Sequence, residues 1–324
     1  MPRLNYGTLL ENIVVLESTR LGLEHTAAED ALGFATSFAM PPITQCWCKV
    51  SEDAGNPRFN HAFLLRLGTR LGRPASLQAM WSLCMKNSPK LPVRPFHQTD
   101  DRLLFDSGGP NGALLASLLA VQSGRTILLW INDNAERYPR AAATGADASV
   151  DELRAAGALL GTEPNGSATQ VVGWFPDVIS RLATWLQQEA GAPTKIRIGF
   201  LDPDNYAEGD AQVSSFDHRD WLRTLATGCS TVLSAVFSGC QNRGQGNAKR
   251  NQRLVSFHSD ELALYPGSLV FEYGNFQIGV KIRWPRDSCA SIASQLRRRI
   301  KGAWHDWDQG LGPLTVHVDG KSGD

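Results

Sequence analysis

From Asp101 onward one pattern keeps returning: a short apolar run, a turn, then a longer segment with apolar residues at helical spacing. "RLLFD" precedes "GALLASLLAVQSG", "TILLWI" precedes "VDELRAAGALLG", and "TQVVGW" precedes "PDVISRLATWLQQEAG". "KIRIGFLD" precedes "DHRDWLRTLATG", and "STVLSAVFSG" completes the series. Strands so rich in Leu, Ile and Val, with little polar alternation, suit burial on both faces, which parallel strands obtain from the helices that connect them. Right-handed crossovers then gather ligands at the carboxyl ends of the strands. The rhythm predicts an α/β fold built on a mostly parallel sheet.

The last part of the chain breaks the rhythm. "GSLVFEY", then Gly274 and Asn275, then "FQIGVKIRW" reads as a hairpin. In its second arm Phe276, Ile278, Val280, Ile282 and Trp284 alternate with Gln277, Gly279, Lys281 and Arg283, the period of a strand with unlike faces. A helix follows with Cys289, Ile292, Leu296, Ile300 and Trp304 along one side, and "LTVHV" supplies a final strand.

Residues 1–98 read differently. From Tyr6 to Leu32 the apolar residues fall at mixed helical spacing, and Thr26 with Glu29 has the form of a capping box for a second helix. "NHAFLLRLGTRLG" and "SLQAMWSLCMKNS" look like further short helices, and the three prolines of "SPKLPVRPFHQTDD" look like a linker. The expectation is a mainly helical extension over 1–98, with room for a protein partner, and an α/β domain over 99–324. Lys plus Arg equals Asp plus Glu at 32 each, so any basic binding surface must be local. No run approaches 18 apolar residues and the N-terminus lacks a signal-peptide core, so a cytoplasmic protein with no membrane span is expected. Cys46 and Cys48 stand too close for a zinc knuckle, and no metal site is expected.

Polar residues crowd the turns that follow the predicted strands. "LLFDSGGPNG" places Asp106, Gly108, Gly109, Asn111 and Gly112 before a helix, where glycine lets the backbone approach a ligand closely or serves a purely structural turn. "LLWINDN" places Asp133 between two asparagines, a carboxylate able to accept from both hydroxyls of a ribose or to cap the next helix. "GWF" offers Gly173, Trp174 and Phe175, with an aromatic that can stack on a purine or simply fill core. "FLDPDNYAEG" concentrates Asp202, Pro203, Asp204, Asn205 and Tyr206 at the end of the fourth strand. His218 lies shortly after it, at the start of a helix.

A parallel sheet finished by an antiparallel hairpin, with turns of this kind, resembles the Rossmann-like class I S-adenosylmethionine-dependent methyltransferases. The order of motifs resembles in particular the adenine-N6 methyltransferases of large ribosomal RNA and related bacterial and phage proteins, over roughly residues 101–318. The resemblance implies that Asp106 and Gly108–Gly112 hold the methionine half of S-adenosylmethionine, Asp133 the ribose, and Gly173 with Trp174 the adenine. It further implies that Asp202 to Tyr206, similar to an Asp-Pro-Pro-Tyr motif, position an acceptor amine by hydrogen bonds. Two departures stand out: Asp204 occupies the place of the second proline, and Tyr206 lies one residue late.

After the fifth strand, "SGCQNRGQGNAKRNQR" carries Arg243, Lys249, Arg250 and Arg253 on the ligand side of the sheet, suited to nucleic-acid phosphates or to a solvated loop. "RRRIK", at 297–301, reads as the wet face of an amphipathic helix. Neither a Gly-x-Ser-x-Gly elbow nor a Walker loop occurs. The expected function is methyl transfer to an amino group of nucleic acid; the rival is a methyltransferase-like module that binds or assembles without catalysis.

Overall fold

A computed structural model of the chain describes residues 6–27, 29–36, 43–44, 109–110, 116, 119, 123, 125–131, 183, 186, 194–201, 218–239, 265, 267–274, 276–307, 312–318 and 321–323. In chain order the elements are α1 (Tyr6–His25), β1 (Ala31–Thr36), β2 (Ile43–Thr44), β3 (Gly109–Pro110), β4 (Thr126–Ile131), β5 (Ile196–Leu201) and α2 (His218–Leu225). Then come β6 (Thr231–Gly239), β7 (Gly267–Tyr273), β8 (Phe276–Arg283), α3 (Arg286–Trp307), β9 (Thr315–Val318) and β10 (Lys321–Gly323). Eight strands form one sheet in the order β10-β9-β7-β8-β6-β5-β1-β4, and β2 with β3 forms a separate antiparallel ladder.

The sheet is a composite. β4, β1, β5 and β6 run parallel. β8 is antiparallel to both β6 and β7, so β7 points the same way as β6, and β9 and β10 continue the antiparallel half. The hairpin between β7 and β8 turns through Gly274, whose φ of 58° lies in the left-handed region that a side chain would strain.

One face of the sheet carries Phe34, Ile198, Leu233, Phe271, Ile278, Val280 and Ile282, and α1 and α3 pack on it through Leu10, Ile13, Leu16, Ile292, Leu296 and Ile300. α1 is buried nearly all round, as a helix without a polar face must be. The other face carries Ala35, Leu128, Trp130, Leu201 and Val232 beneath Trp221, Leu222 and Leu225 of α2. Gly199 is what lets α2 approach: a Cβ there would lie 2.6 Å from Leu225 Cδ2 and 2.8 Å from Ser234 Oγ.

"TILLWI", the five strands β5 to β9 and the helix over 286–307 form where the sequence places them, and Cys289, Ile292, Leu296, Ile300 and Trp304 are all buried. Residues Ala116, Leu119, Ala183 and Leu186 are helical, within segments read as helices. Two expectations are corrected. No capping box starts a helix at Thr26, because α1 ends at His25 and the Thr26 hydroxyl donates back to the Gly22 carbonyl at 2.7 Å. The next residues, "ALGFAT", form a strand buried at every position.

The strand expected to end at Asp106 lies outside the described residues, and residues 31–36 have both of their edges occupied. β1 bonds to β4 along one edge and to β5 along the other, and a strand has only two edges. The slot between β4 and β5 therefore belongs to residues 31–36. Residues 31–36, within the segment expected to be a mainly helical extension, thus supply one of the sheet's interior strands.

Candidate functional site at the carboxyl rim

Four parallel strands end along one rim of the sheet. Thr36, the last residue of β1, is level with Ile131, the last of β4, and with Phe200, next to last in β5. Neighbouring strands lie about 4.7–4.9 Å apart, so the ends of β4 and β5 are separated by about 10 Å across Thr36. Leu201 pairs with Val236, and β6 continues three residues farther to Gly239, about 10 Å beyond the others.

The sequence then places its polar turns on this rim. Asp202 follows Leu201 directly, Asp133 comes two residues after Ile131, and the basic segment begins past Gly239. Asp133, Asp202, Pro203, Asp204, Asn205 and Tyr206 themselves lie outside the described residues, as do Asp106, Gly108, Asn111, Gly112, Gly173, Trp174, Arg243, Lys249, Arg250 and Arg253. What the sheet fixes is the registration of the strand ends from which two of these turns depart.

Gly109 is described, and it pairs across an antiparallel ladder with Thr44, as Pro110 does with Ile43. Its backbone is thus engaged in a strand pair. Ile43 stands only seven residues past Thr36. A chain spans at most about 3.3–3.6 Å per residue and paired strands lie about 4.8 Å apart, so the ladder tethers Pro110 within about 30 Å of the end of β1.

The antiparallel half holds polar chemistry that was not read as a site from the sequence. On the face away from α1 and α3, Ser268, Glu272, Gln277 and Lys281 are all buried, Lys281 completely. Glu272 Oε2 accepts from Gln277 Nε2 at 3.2 Å and lies 3.1 Å from His317 Nε2, joining β7, β8 and β9. The alternation of Gln277 and Lys281 with apolar residues showed two unlike faces; it did not show that both would be enclosed. Trp221 Nε1 donates to Ser234 Oγ at 3.1 Å on the same side.

At the opposite, amino rim, Arg197 donates from Nε to Thr194 Oγ1 at 2.9 Å and from Nη1 to the Leu225 carbonyl at 3.0 Å and to the Thr227 carbonyl. It thereby satisfies carbonyls at the end of α2, where a cation is favoured. Lys195 pairs with Asp30 at 3.0 Å, and that hydrogen bond raises its pKa above the ordinary lysine value. Between α1 and α3, Arg299 grips both oxygens of Glu24 at 2.9 and 2.6 Å. This hydrogen bonding holds the Glu24 carboxyl below the usual carboxylate range. Among the described residues no group of three His, Cys, Asp or Glu side chains is placed to hold a metal, and no described helix is long and apolar enough to cross a membrane.

No protein-family model matches this chain, and no curated protein does. Among solved structures, the chain is similar to the crystal structure of protein LPL1258 from Legionella pneumophila str. Philadelphia 1, a DUF519 protein, with a TM-score of 0.51 at 15% identity. The likeness covers 99% of each chain, so it is not confined to the part after residue 98. At that identity, what the two share is the fold.

Proposed function

We propose that the chain is an S-adenosylmethionine-dependent methyltransferase with the sheet of the class I enzymes, acting on an amino group of nucleic acid. The reading rests on the sheet order: β8 runs antiparallel between β6 and β7, which are parallel to each other, at the end of a parallel set. That reversed insertion is the arrangement the family resemblance implies, and it is supported by strand ends registered on one rim.

Two acidic residues in the sequence support the reading. Carboxylates follow two strand ends that flank β1, Asp133 beyond β4 and Asp202 beyond β5. Asp133 offers two acceptor oxygens to the ribose hydroxyls. Bound S-adenosylmethionine would supply an electrophilic methyl group on a sulfonium. Asp202 accepts a hydrogen bond from the acceptor amine and aims its lone pair, which is catalysis by positioning. Tyr206 offers a ring for the target base to stack on, and the cations at Arg243, Lys249, Arg250 and Arg253 offer phosphate contacts.

Titration calorimetry with S-adenosylmethionine tests the first step; absence of binding at millimolar cofactor removes the enzyme reading. If it binds, tritiated methyl transfer to RNA, DNA and protein pools identifies the acceptor. Asp202→Ala should then lower turnover by roughly 100-fold, the scale of a misplaced reactant, while leaving cofactor affinity nearly unchanged.

One observation favours the second reading, a binding or assembly module without catalysis. The strand between β4 and β5 is followed by "SFAMPP", which has neither the acid nor the glycines expected beside the methionine half of the cofactor. In that case calorimetry is silent and the chain still binds its partner.

A further inference from the structure

We infer that the basic segment 297–301 of α3 is a docking surface for the phosphate backbone of nucleic acid. The inference rests on the proposed nucleic-acid acceptor for its choice of polyanion, but on α3 itself for the surface.

The buried side of α3 is Cys289, Ile292, Leu296, Ile300 and Trp304. Its outward side shows Ala290, Ser291, Ser294, Arg298 and Gly302, flanked by the partly exposed Arg297, Arg299 and Lys301. Four cations thus fall within five residues, and no acidic residue occurs from Ser288 to His305. On the neighbouring α1, Arg20 adds a cation while Glu24, which holds Arg299, and the buried Glu17 offset charge, so Arg298 and Lys301 carry the surface.

Ordinary helix energetics do not account for this cluster. The helix dipole favours cations only in the last turn, whereas these residues lie about two to three turns before Trp307. Arg297 with Lys301 at i,i+4, and Arg298 with Lys301 at i,i+3, are like-charge neighbours that cost a helix about 0.2–0.5 kcal/mol each. A polyanion is the occupant that turns this cost into affinity.

Topology brings the segment toward the candidate site. β8 ends at the amino rim, α3 starts there and runs back, and β9 begins near the carboxyl rim with Thr315 opposite Glu272. The C-terminal half of α3 therefore lies toward the rim where the parallel strands end. The outward residues from Asp287 to Gly302 include no Trp, Tyr or Phe, so the surface holds phosphates and does not read or stack on bases. They include no large apolar side chain either, which disfavours insertion into a lipid surface.

The test is anisotropy of a labelled 30-nucleotide RNA strand, titrated with the full chain over a series of salt concentrations, for wild type and for the double variant Arg298→Ala, Lys301→Ala. Losing two phosphate contacts should flatten the plot of log affinity against log salt by about 1.4, at about 0.7 per contact on a single strand. Affinity at low salt should fall about tenfold or more, and Arg298→Lys with Lys301→Arg should keep most of both. Alanine is the strongest helix former, and unchanged thermal melting checks that the helix is intact. An unchanged salt slope overturns the proposal, as does a loss seen only with phosphatidylserine vesicles. Silent calorimetry with S-adenosylmethionine, alongside a flattened slope in the variant, sinks methyl transfer and leaves this surface standing.

Discussion

The parallel and antiparallel halves of the sheet put their polar groups in different places. In β1, β4 and β5 the described side chains are buried and mostly apolar, and the sequence puts acidic residues just past two of these strands, Asp133 after Ile131 and Asp202 after Leu201. In β7 and β8 one face packs on α1 and α3, while the other buries Ser268, Glu272, Gln277 and Lys281 within the strands themselves. The polar groups of the antiparallel half are enclosed, and their hydrogen bonds, such as those that tie Glu272 to Gln277 and His317, fasten strands to each other. Burial of a polar group is costly unless paired, so the enclosed network fixes the register of the antiparallel half.

The largest effect that sharpens this contrast is predicted at Phe34, fully buried in the middle of β1. Phe34→Ala should lower stability by about 3–5 kcal/mol in denaturant titration. A loss below about 1 kcal/mol would mean that residues 31–36 do not close the parallel half. Next comes Glu272→Ala, which strips the acceptor from Gln277 and His317 and should cost about 1–3 kcal/mol. Glu272→Gln should cost less, because its amide oxygen still accepts. Equal losses in the two variants would show that charge, rather than hydrogen bonding, holds the antiparallel half.

The smallest effect is at the ion pair that joins the two helices over the shared apolar face. Glu24→Gln should cost under about 1 kcal/mol, since the carboxylate is nearly half exposed and solvent screens it. The carboxyl pKa is depressed in the folded chain, so its contribution is present above the ordinary value of 4.5 and is lost as pH falls through the lower folded value. The stability gap between wild type and variant should therefore be constant near neutral pH, close in acid, and shrink in high salt.

Much of this architecture could be read from residue order, because its signals were local. The hairpin was marked by Gly274 between two apolar arms, and α3 by apolar residues at 289, 292, 296, 300 and 304. β1 escaped notice for a physical reason. "ALGFAT" contains two alanines and a glycine, which have weak strand preference, and it follows a strong helix. Its extended form comes from partners at 126–131 and 196–200, which no local pattern announces. The turn at Asp106 drew attention instead, because a glycine-rich turn after an apolar run is a strong local cue. The strands that precede Asp133 and Asp202 were legible because β4 and β5 are unbroken apolar runs. The Glu272 and His317 pair lies 45 positions apart in sequence, and only the β7–β9 pairing joins it.

The interior position of β1 has a consequence for how the chain comes to be made. Leu32 finds its partner at Ile196, 164 positions later, and its partner on the other side at Ile127. At about 5–20 residues per second on a ribosome, the centre of the sheet waits roughly 10–30 seconds for its second neighbour to emerge. During that interval an apolar helix and an apolar strand stand without their partners in the nascent chain, a state that invites wrong contacts and that a chaperone would be expected to shelter.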